Sequence, residues 1–485
     1  MPEGTTAGGY RGKPGLTLVA AVLGGAMVGL DGTATTIAAP YISASVGATL
    51  AQLELIANAY LVALALGLLP AGRLADRIGR RRTFVIGVAV FALASLGIAL
   101  SGNVMALVAF RVVQGFAGAL LQPAALALVR NAFPPGRLGL PLGIWGGANA
   151  LAIGLGPVLA GTIVQGFEWP AVFLLNVPVA ALTIGLTWYA VAESRGPRAG
   201  VPGALRGLLA DRAVCLGAVL VAVSSFGVFA LLFLLTLYLQ NVQGLRPIAA
   251  GAWMLPPTCV VVLSAPIGGM LAQRFGPRWP VCAGLVLVAA GLFSLSLLTP
   301  RSGFTDLLYP GLLVGFGTGL CVVAATEAIM GAAPDESTGM ASALQQVASQ
   351  AGGVLGIVAV GATLSWQVQQ ALPVRIAQAG LPRTAGRILL DGADRVAQGT
   401  VPPGLDPATA NPALAHAARA AAQLGFTDAM GAALLIAAGV SLLGALLAPW
   451  LPRTAAGTAA GAAQGAREAV PAGREGGERA VPATR

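Results

Sequence analysis

Two side chains of opposite charge interrupt long apolar runs in this 485-residue chain: Asp31 within 16–40 and Arg111 within 104–129. A lone charge in the hydrocarbon of a bilayer is costly, so ionisable groups there face a cavity and pair. At a helical rise of 1.5 Å per residue, Asp31 lies about 22 Å from the start of its run. Arg111 lies about 10 Å into a run that enters from the opposite side. Across an apolar core about 30 Å thick the two depths nearly coincide, so the pair can meet. The chemistry open to it is proton carriage: Asp31 takes a proton from one side and releases it to the other, with Arg111 setting its affinity. A permanent Asp31–Arg111 bond that only locks helix packing is the plainer reading, and the residues alone leave both open.

Other polar groups in apolar runs are candidates for weaker tasks. Glu327 lies about 30 Å into 307–329, near the inner mouth, where it could serve as a second proton site, attract a cationic solute, or simply reach water. Glu54, at the outer edge of 51–72, reads as an interfacial acid. Asn58, Gln114, Gln122, Asn149 and Gln346 are possible substrate contacts, with Phe226, Phe229 and Trp253 as apolar walls. Amides also bond between helices for stability, and aromatic side chains mostly pack. A cavity with few charges suits a small amphipathic solute.

The elements that position these residues follow from composition. Hydrophobic residues make up 56% of the chain and charged residues 9%, against about 25% charged in soluble proteins, which excludes a soluble enzyme or a nucleic-acid-binding protein. Twelve runs can each cross a bilayer: roughly 16–40, 51–72, 83–101, 104–129, 138–164 and 171–192, then 214–239, 248–272, 280–298, 307–329, 342–366 and 429–450. The expected fold is all-α and polytopic, with twelve transmembrane helices in two six-helix bundles. Its expected organisation is an N-terminus (1–15), a first bundle (16–192), a polar connector (193–213), a second bundle (214–452) with a long outer loop (367–428), and a disordered tail (453–485). With the N-terminus inside, 20 of the 28 cations fall in inner segments and 7 in outer ones, five of them in 367–428. Both termini are therefore expected on the cytoplasmic side. Arg outnumbers Lys 27 to 1 in an Ala- and Gly-rich chain, a composition typical of a GC-rich bacterial genome, so the bacterial inner membrane is the expected location.

Several chemistries find no support. Cys215, Cys259, Cys282 and Cys321 lie in or beside apolar runs without metal-ligand spacing, so no metal and no disulfide framework is expected. No G-x-x-x-x-G-K-[ST] loop occurs, so nucleotide is not the energy source. No catalytic triad spacing is present, no cofactor is implied, and an enzyme is not expected. The single histidine, His416, falls in the outer loop.

An internal repeat accounts for the two halves. Gly72, Leu74, Ala75, Arg77, Gly79 and Arg81 recur as Gly269, Leu271, Ala272, Arg274, Gly276 and Arg278, offset by 197 positions. Gly115-Phe116 recurs as Gly315-Phe316 at an offset of 200. Duplicated bundles place a substrate site at their interface and imply alternating access.

These motifs together resemble the major facilitator superfamily of transporters, and within it the bacterial drug:proton antiporters. Leu30-Asp31-Gly32-Thr33 with Ala38-Ala39-Pro40 is similar to the branch signature in span 1. Gly72 to Arg82 matches the inner-loop motif, Arg111 to Ala119 the span 4 motif, and Phe173 to Pro178 the start of span 6. Gly154, Gly156, Pro157 and Gly161 match the span 5 antiporter motif, with Ala160 where a second glycine is usual. The resemblance implies proton coupling through Asp31 and Arg111. It also implies a bend in span 5 that seals the resting state, and a gate formed by Gly72, Arg73, Asp76, Arg77, Gly79, Arg80 and Arg81. In that gate Asp76 would accept bonds from a helix N-terminus of the other half. The charge is not duplicated, since Gln273 stands at the second position. Those arginines could equally be a positive-inside anchor, and the glycines ordinary packing. Many relatives of the branch have fourteen spans, whereas 193–213 is too short to hold an extra pair. The expected activity is proton-coupled efflux of a small amphipathic drug, antibiotic or toxic metabolite by a monomer. The partners would then be that solute, protons and the bilayer. An importer or uniporter on the same fold is the alternative within transport, and a non-transporting receptor or enzyme the alternative outside it.

Overall fold

The computed structural model describes residues 13–133, 139–194, 204–333, 338–405 and 411–452. The first half runs through α1 (Pro14–Val46), α2 (Leu50–Ile78), α3 (Arg80–Ala99), α4 (Val104–Ala132), α5 (Gly139–Gly166), α6 (Pro170–Leu174) and α7 (Asn176–Ala190). After the short connector helix α8 (Ala204–Ala210) come α9 (Arg212–Leu237), α10 (Pro247–Phe275), α11 (Arg278–Leu295), α12 (Phe304–Ala332) and α13 (Thr338–Gln378). The small helices α14 (Arg383–Asp391) and α15 (Ala393–Ala397) then precede α16 (Pro412–Leu447). Among the described residues eleven helices are long and apolar enough to cross a membrane, α6 and α7 counting as one span and α9 with its wider-wound last turn as another. The 28-residue α5 is the twelfth. The tail from 453 and residues 195–203 of the connector lie outside the described residues.

Helices are the only local solution for such runs, because backbone groups in hydrocarbon must be satisfied within the segment. The ends are marked by polar caps. Thr49 and Gln52 form a reciprocal capping box on α2, Asn103 accepts from Ala106 N–H on α4, and Asp211 accepts from Ala213 and Val214 on α9. The sixth span is not one rod. Pro178 has no N–H to give the carbonyl of Leu174, and the helix breaks at Leu175 between α6 and α7.

The sequence repeat is a repeat of contacts. Gly115 of α4 lies against the Tyr60 carbonyl of α2, and Gly315 of α12 lies against the Pro257 carbonyl of α10. Tyr60 and Pro257 are themselves 197 positions apart. Further along the same helices, Gly67 meets Ala119 in the first half and Ser264 meets Gly319 in the second. The small residue has changed helices while the close approach has been kept.

The halves meet away from the face where α1 begins and α16 ends. At this far face α5 crosses α10: Gly161 lies against the Pro247 backbone, and Gly251 against the Pro157 backbone. On the other flank α2 crosses α13, with Glu54 against Gly361. Gln240 at the end of α9 donates to the Ile37 carbonyl of α1 (3.2 Å). The segment 367–428, expected as an outer loop with helical stretches, holds the last turns of α13, α14, α15 and the first turns of α16. Ala- and Gln-rich sequence continues a helix beyond the point where its apolar signal stops. This segment straps the far face together. Gln398 donates to the Ala48 carbonyl (3.2 Å) and accepts from Ser43 (2.7 Å) in the first half, while its own carbonyl accepts from Asn241 in the second.

Candidate functional site

Four helices of the first half bring their polar side chains to one point. Asp31 of α1 and Arg111 of α4 are joined as an ion pair, and both are almost wholly buried, 4% and 1% exposed. The carboxylate has no free oxygen. Oδ2 accepts from Arg111, and Oδ1 accepts from Gln114 Nε2 at 2.9 Å and Asn176 Nδ2 at 3.2 Å. Ser95 of α3 receives bonds from the same two amides, at 2.8 and 3.1 Å, and passes its own proton to the Phe91 carbonyl. The guanidinium also donates to the Gln114 Oε1 (2.6 Å) and the Ile56 carbonyl (3.4 Å). The Tyr60 ring lies beneath it at 4.3 Å. Each buried charge thus keeps a partner and hydrogen bonds, the condition for a charge to persist in a low-dielectric interior.

The cluster borders a small cavity and is linked to the seam. A cavity of about 20 Å³ between α1, α5 and the α6–α7 break is lined by Asp31, Asn176, Gly156 and Leu175 among others. That volume holds one water molecule. Two residues beyond Asp31, Thr33 donates to the Ile153 carbonyl of α5 (3.1 Å), and Gly156 lies directly against the Thr33 hydroxyl. The same stretch of α5 carries Pro157 and Gly161, which meet α10. Asp31 is therefore linked through α1 and α5 to the far seam.

The remaining sequence candidates are dispersed. Gln114 points into the acid–base cluster, and its amide is fully engaged there. Asn149 donates to the Trp145 carbonyl of its own helix and packs on Gly25. Asn58 is buried with its Oδ1 unpartnered, whereas Gln122 and Gln346 are half-buried. Trp253 stacks edge-on with Phe304, ring centroids 5.1 Å apart, within the second half. Phe226 is buried and Phe229 packs on Gly353 of α13. Glu327 is half-buried against Gly269 of α10, well away from Asp31. Gly72, Arg73, Asp76 and Gly154 have side-chain positions outside the described residues. Gly79, at φ 117°, ends α2 in a conformation that favours glycine, and Arg77 is exposed beside it. Glu193 accepts from the Arg81 backbone N–H (3.1 Å) and pairs with Arg82 at 3.7 Å. Arg80 N–H donates to the Ser194 carbonyl. Residues 80–82 of the inner loop are thus tied to the start of the connector.

Sequence reasoning missed Ser95, Asn176 and Tyr60. Asn176 alone carried a signal: an amide two residues before an in-span proline, where the helix must break.

Two repeated six-helix bundles with one buried acid–base cluster define a membrane transporter of the alternating-access class. Residues 21–357 match the Major Facilitator Superfamily, and the chain belongs to that family. The tetracenomycin C resistance and export protein of Streptomyces glaucescens is 36% identical over 506 residues, covering 92% of this chain and 93% of that one. The methylenomycin A resistance protein of Streptomyces coelicolor is 30% identical, covering 74% and 87%. Among solved structures, a bacterial homolog of the human lysosomal transporter Spinster superposes with a TM-score of 0.66 at 21% identity, covering 91% of this chain and 98% of that one. It has the same fold.

Proposed function

We propose that this protein exports a small amphipathic antibiotic or toxic metabolite from the cytoplasm in exchange for protons, working as a monomer in a bacterial inner membrane. The relatives named above, themselves resistance and export proteins, supply the direction and the class of cargo. The observation that carries proton coupling is the Asp31 carboxylate, dry but for a water-sized cavity and bonded to a cation that cannot deprotonate. In the sequence, 20 of the 28 cations fall in the segments expected on the side of both termini, and that side is assigned to the cytoplasm.

In this reading the closed far seam leaves the cargo path open towards the cytoplasm. Protonation of Asp31 cancels its charge and weakens three bonds at once, and Arg111 must find other acceptors, with Gln114 and the Ile56 carbonyl at hand. The change is transmitted from α1 through Thr33 to α5, whose Pro157 and Gly161 form one flank of the seam. The inner-loop arginines and Asp76 would engage the other half only when the cytoplasmic side shuts.

The test is purified protein in proteoliposomes with a pH-sensitive dye inside, challenged with a panel of aromatic and cationic antibiotics. At least one compound should drive proton movement opposite to its own, and none doing so would overturn the reading. Seam geometry carries a further expectation. Gly251→Leu places a side chain against the Pro157 backbone, so the far seam cannot close. Export measured at equal membrane abundance should fall by about tenfold or more, in line with an overpacking cost of about 1–3 kcal/mol at the closed seam.

A further inference from the structure

The α2–α13 flank of the seam contains an acid that the mechanism above does not use. Glu54 projects its carboxyl head into the notch left by the missing side chain of Gly361. The three head-group atoms, Cδ, Oε1 and Oε2, occupy the space that a Cβ at 361 would take, so any side chain there would push the carboxyl out of the notch. Gly361 is buried and Glu54 half-buried. Among the described residues no side chain donates a hydrogen bond to Glu54 and no cation pairs with it.

The helices packed against α2 do not supply a partner either. Arg111 of α4 reaches the Ile56 carbonyl but is committed to Asp31. On α1 the acid is Asp31 itself, within that pair. Along α13 the cation beyond Gly361 is Arg375, which is bound to Asp428. The arginines of α3 lie at the opposite end of the molecule, where Glu193 accepts from the Arg81 backbone and pairs with Arg82. On α15, Asp394 and Arg395 are both exposed.

We propose that Glu54 is a second proton-binding group of the cycle, and that the far seam closes on it only when it is neutral. The proposal rests on the exporter reading for its place in the cycle. Its physics is local. Closing the seam takes a carboxyl out of water and sets it against the backbone of α13 without a donor. A carboxylate loses part of its hydration there with no donor to replace it, whereas a carboxylic acid has no charge to desolvate and an O–H to give to a helix carbonyl. Proton uptake at the far side and closure of the far side therefore favour one another. An antiporter needs that order of events: cargo leaves outward, a proton binds, and only then does the outer side shut. Asp31 lies deep in the first half and reads the proton inside the bundle. Glu54 reads it at the interface between the halves, where the motion occurs.

The test is hydrogen–deuterium exchange of the full-length protein in nanodiscs without any drug, followed over the seam segments 50–60 and 356–372. Comparing variants at equal pH removes the pH dependence of exchange chemistry itself. Between about pH 5 and pH 9, seam protection in the native protein should fall with rising pH, by up to about tenfold per unit where a single proton is linked to closure. Glu54→Gln, neutral and of the same size, should stay protected across the range. Gly361→Ala, which pushes the carboxyl out of the notch, should flatten the pH dependence. Glu168→Gln, an exposed far-side acid, should follow the native protein. A Glu54→Gln profile that tracks the native one at every pH overturns the proposal, as does loss of the pH dependence in Glu168→Gln. Neither outcome bears on drug-driven proton flux, so failure here and failure of the exporter reading are separable.

Discussion

Protein carrying Asp31→Asn is expected to reach the membrane, bind drug, and show no drug-driven proton movement. Asparagine has the shape of aspartate. Its oxygen can still accept from Gln114 and Asn176, which lie 2.9 and 3.2 Å from Oδ1 in the native cluster. What it cannot do is hold a charge opposite Arg111 or take up and release a proton. The variant thus imitates the protonated state permanently. If the proton-loaded state favours the far-closed arrangement, as the order of events in antiport requires, Asp31→Asn should also keep seam protection at or above the native level at every pH. The two readouts separate a coupling role from a packing role. A fixed structural bond would show as lower protein abundance with export per molecule unchanged. Full proton-driven efflux at equal expression, measured in everted vesicles, would end the proposed role of Asp31.

Much of this arrangement was legible without coordinates, for physical reasons that also explain what was not. The meeting of Asp31 and Arg111 followed from depth alone, because a bilayer makes position along a helix an energetic coordinate. The twelve helices were legible because hydrocarbon permits no other backbone solution. Rotation about each helix axis was not. These helices are apolar on nearly all faces, so periodicity does not say which side an amide presents. Gln114 was therefore open to being a cargo contact, when it faces the carboxylate. Ser95 is one hydroxyl in an apolar run and gave no signal at all. The strap through Gln398 and the seat of Glu54 in Gly361 are contacts between residues far apart in the chain, each chemically ordinary until its partner is known. The same limit applies to the repeat. Its glycines could be aligned by spacing, but the backbone carbonyls of Tyr60 and Pro257 that they approach appear only in three dimensions.

The second large effect is expected on stability, and its sign with pH identifies the charge left behind. Breaking a buried ion pair from one side costs about 3–5 kcal/mol, chiefly because the surviving charge stays unpaired in a low dielectric. Arg111→Leu leaves Asp31, which can escape that cost by binding a proton. The folded variant then holds a proton that the unfolded chain has released at neutral pH, so its stability should rise as pH falls. Asp31→Asn leaves Arg111, whose guanidinium keeps its charge at any working pH. Acid should not rescue it, although the Tyr60 face at 4.3 Å and the Gln114 oxygen at 2.6 Å soften the loss. The double variant Asp31→Asn, Arg111→Leu removes both charges and should recover most of the stability without recovering transport. Thermal unfolding of the four proteins in one detergent, at about pH 5 and about pH 8, reads all of this out. An Arg111→Leu protein as stable as the native one at the higher pH would mean that Asp31 is not charged in the closed state. The first step of the cycle would then have to be sought elsewhere, with Glu54 the next acid on the path between the two halves.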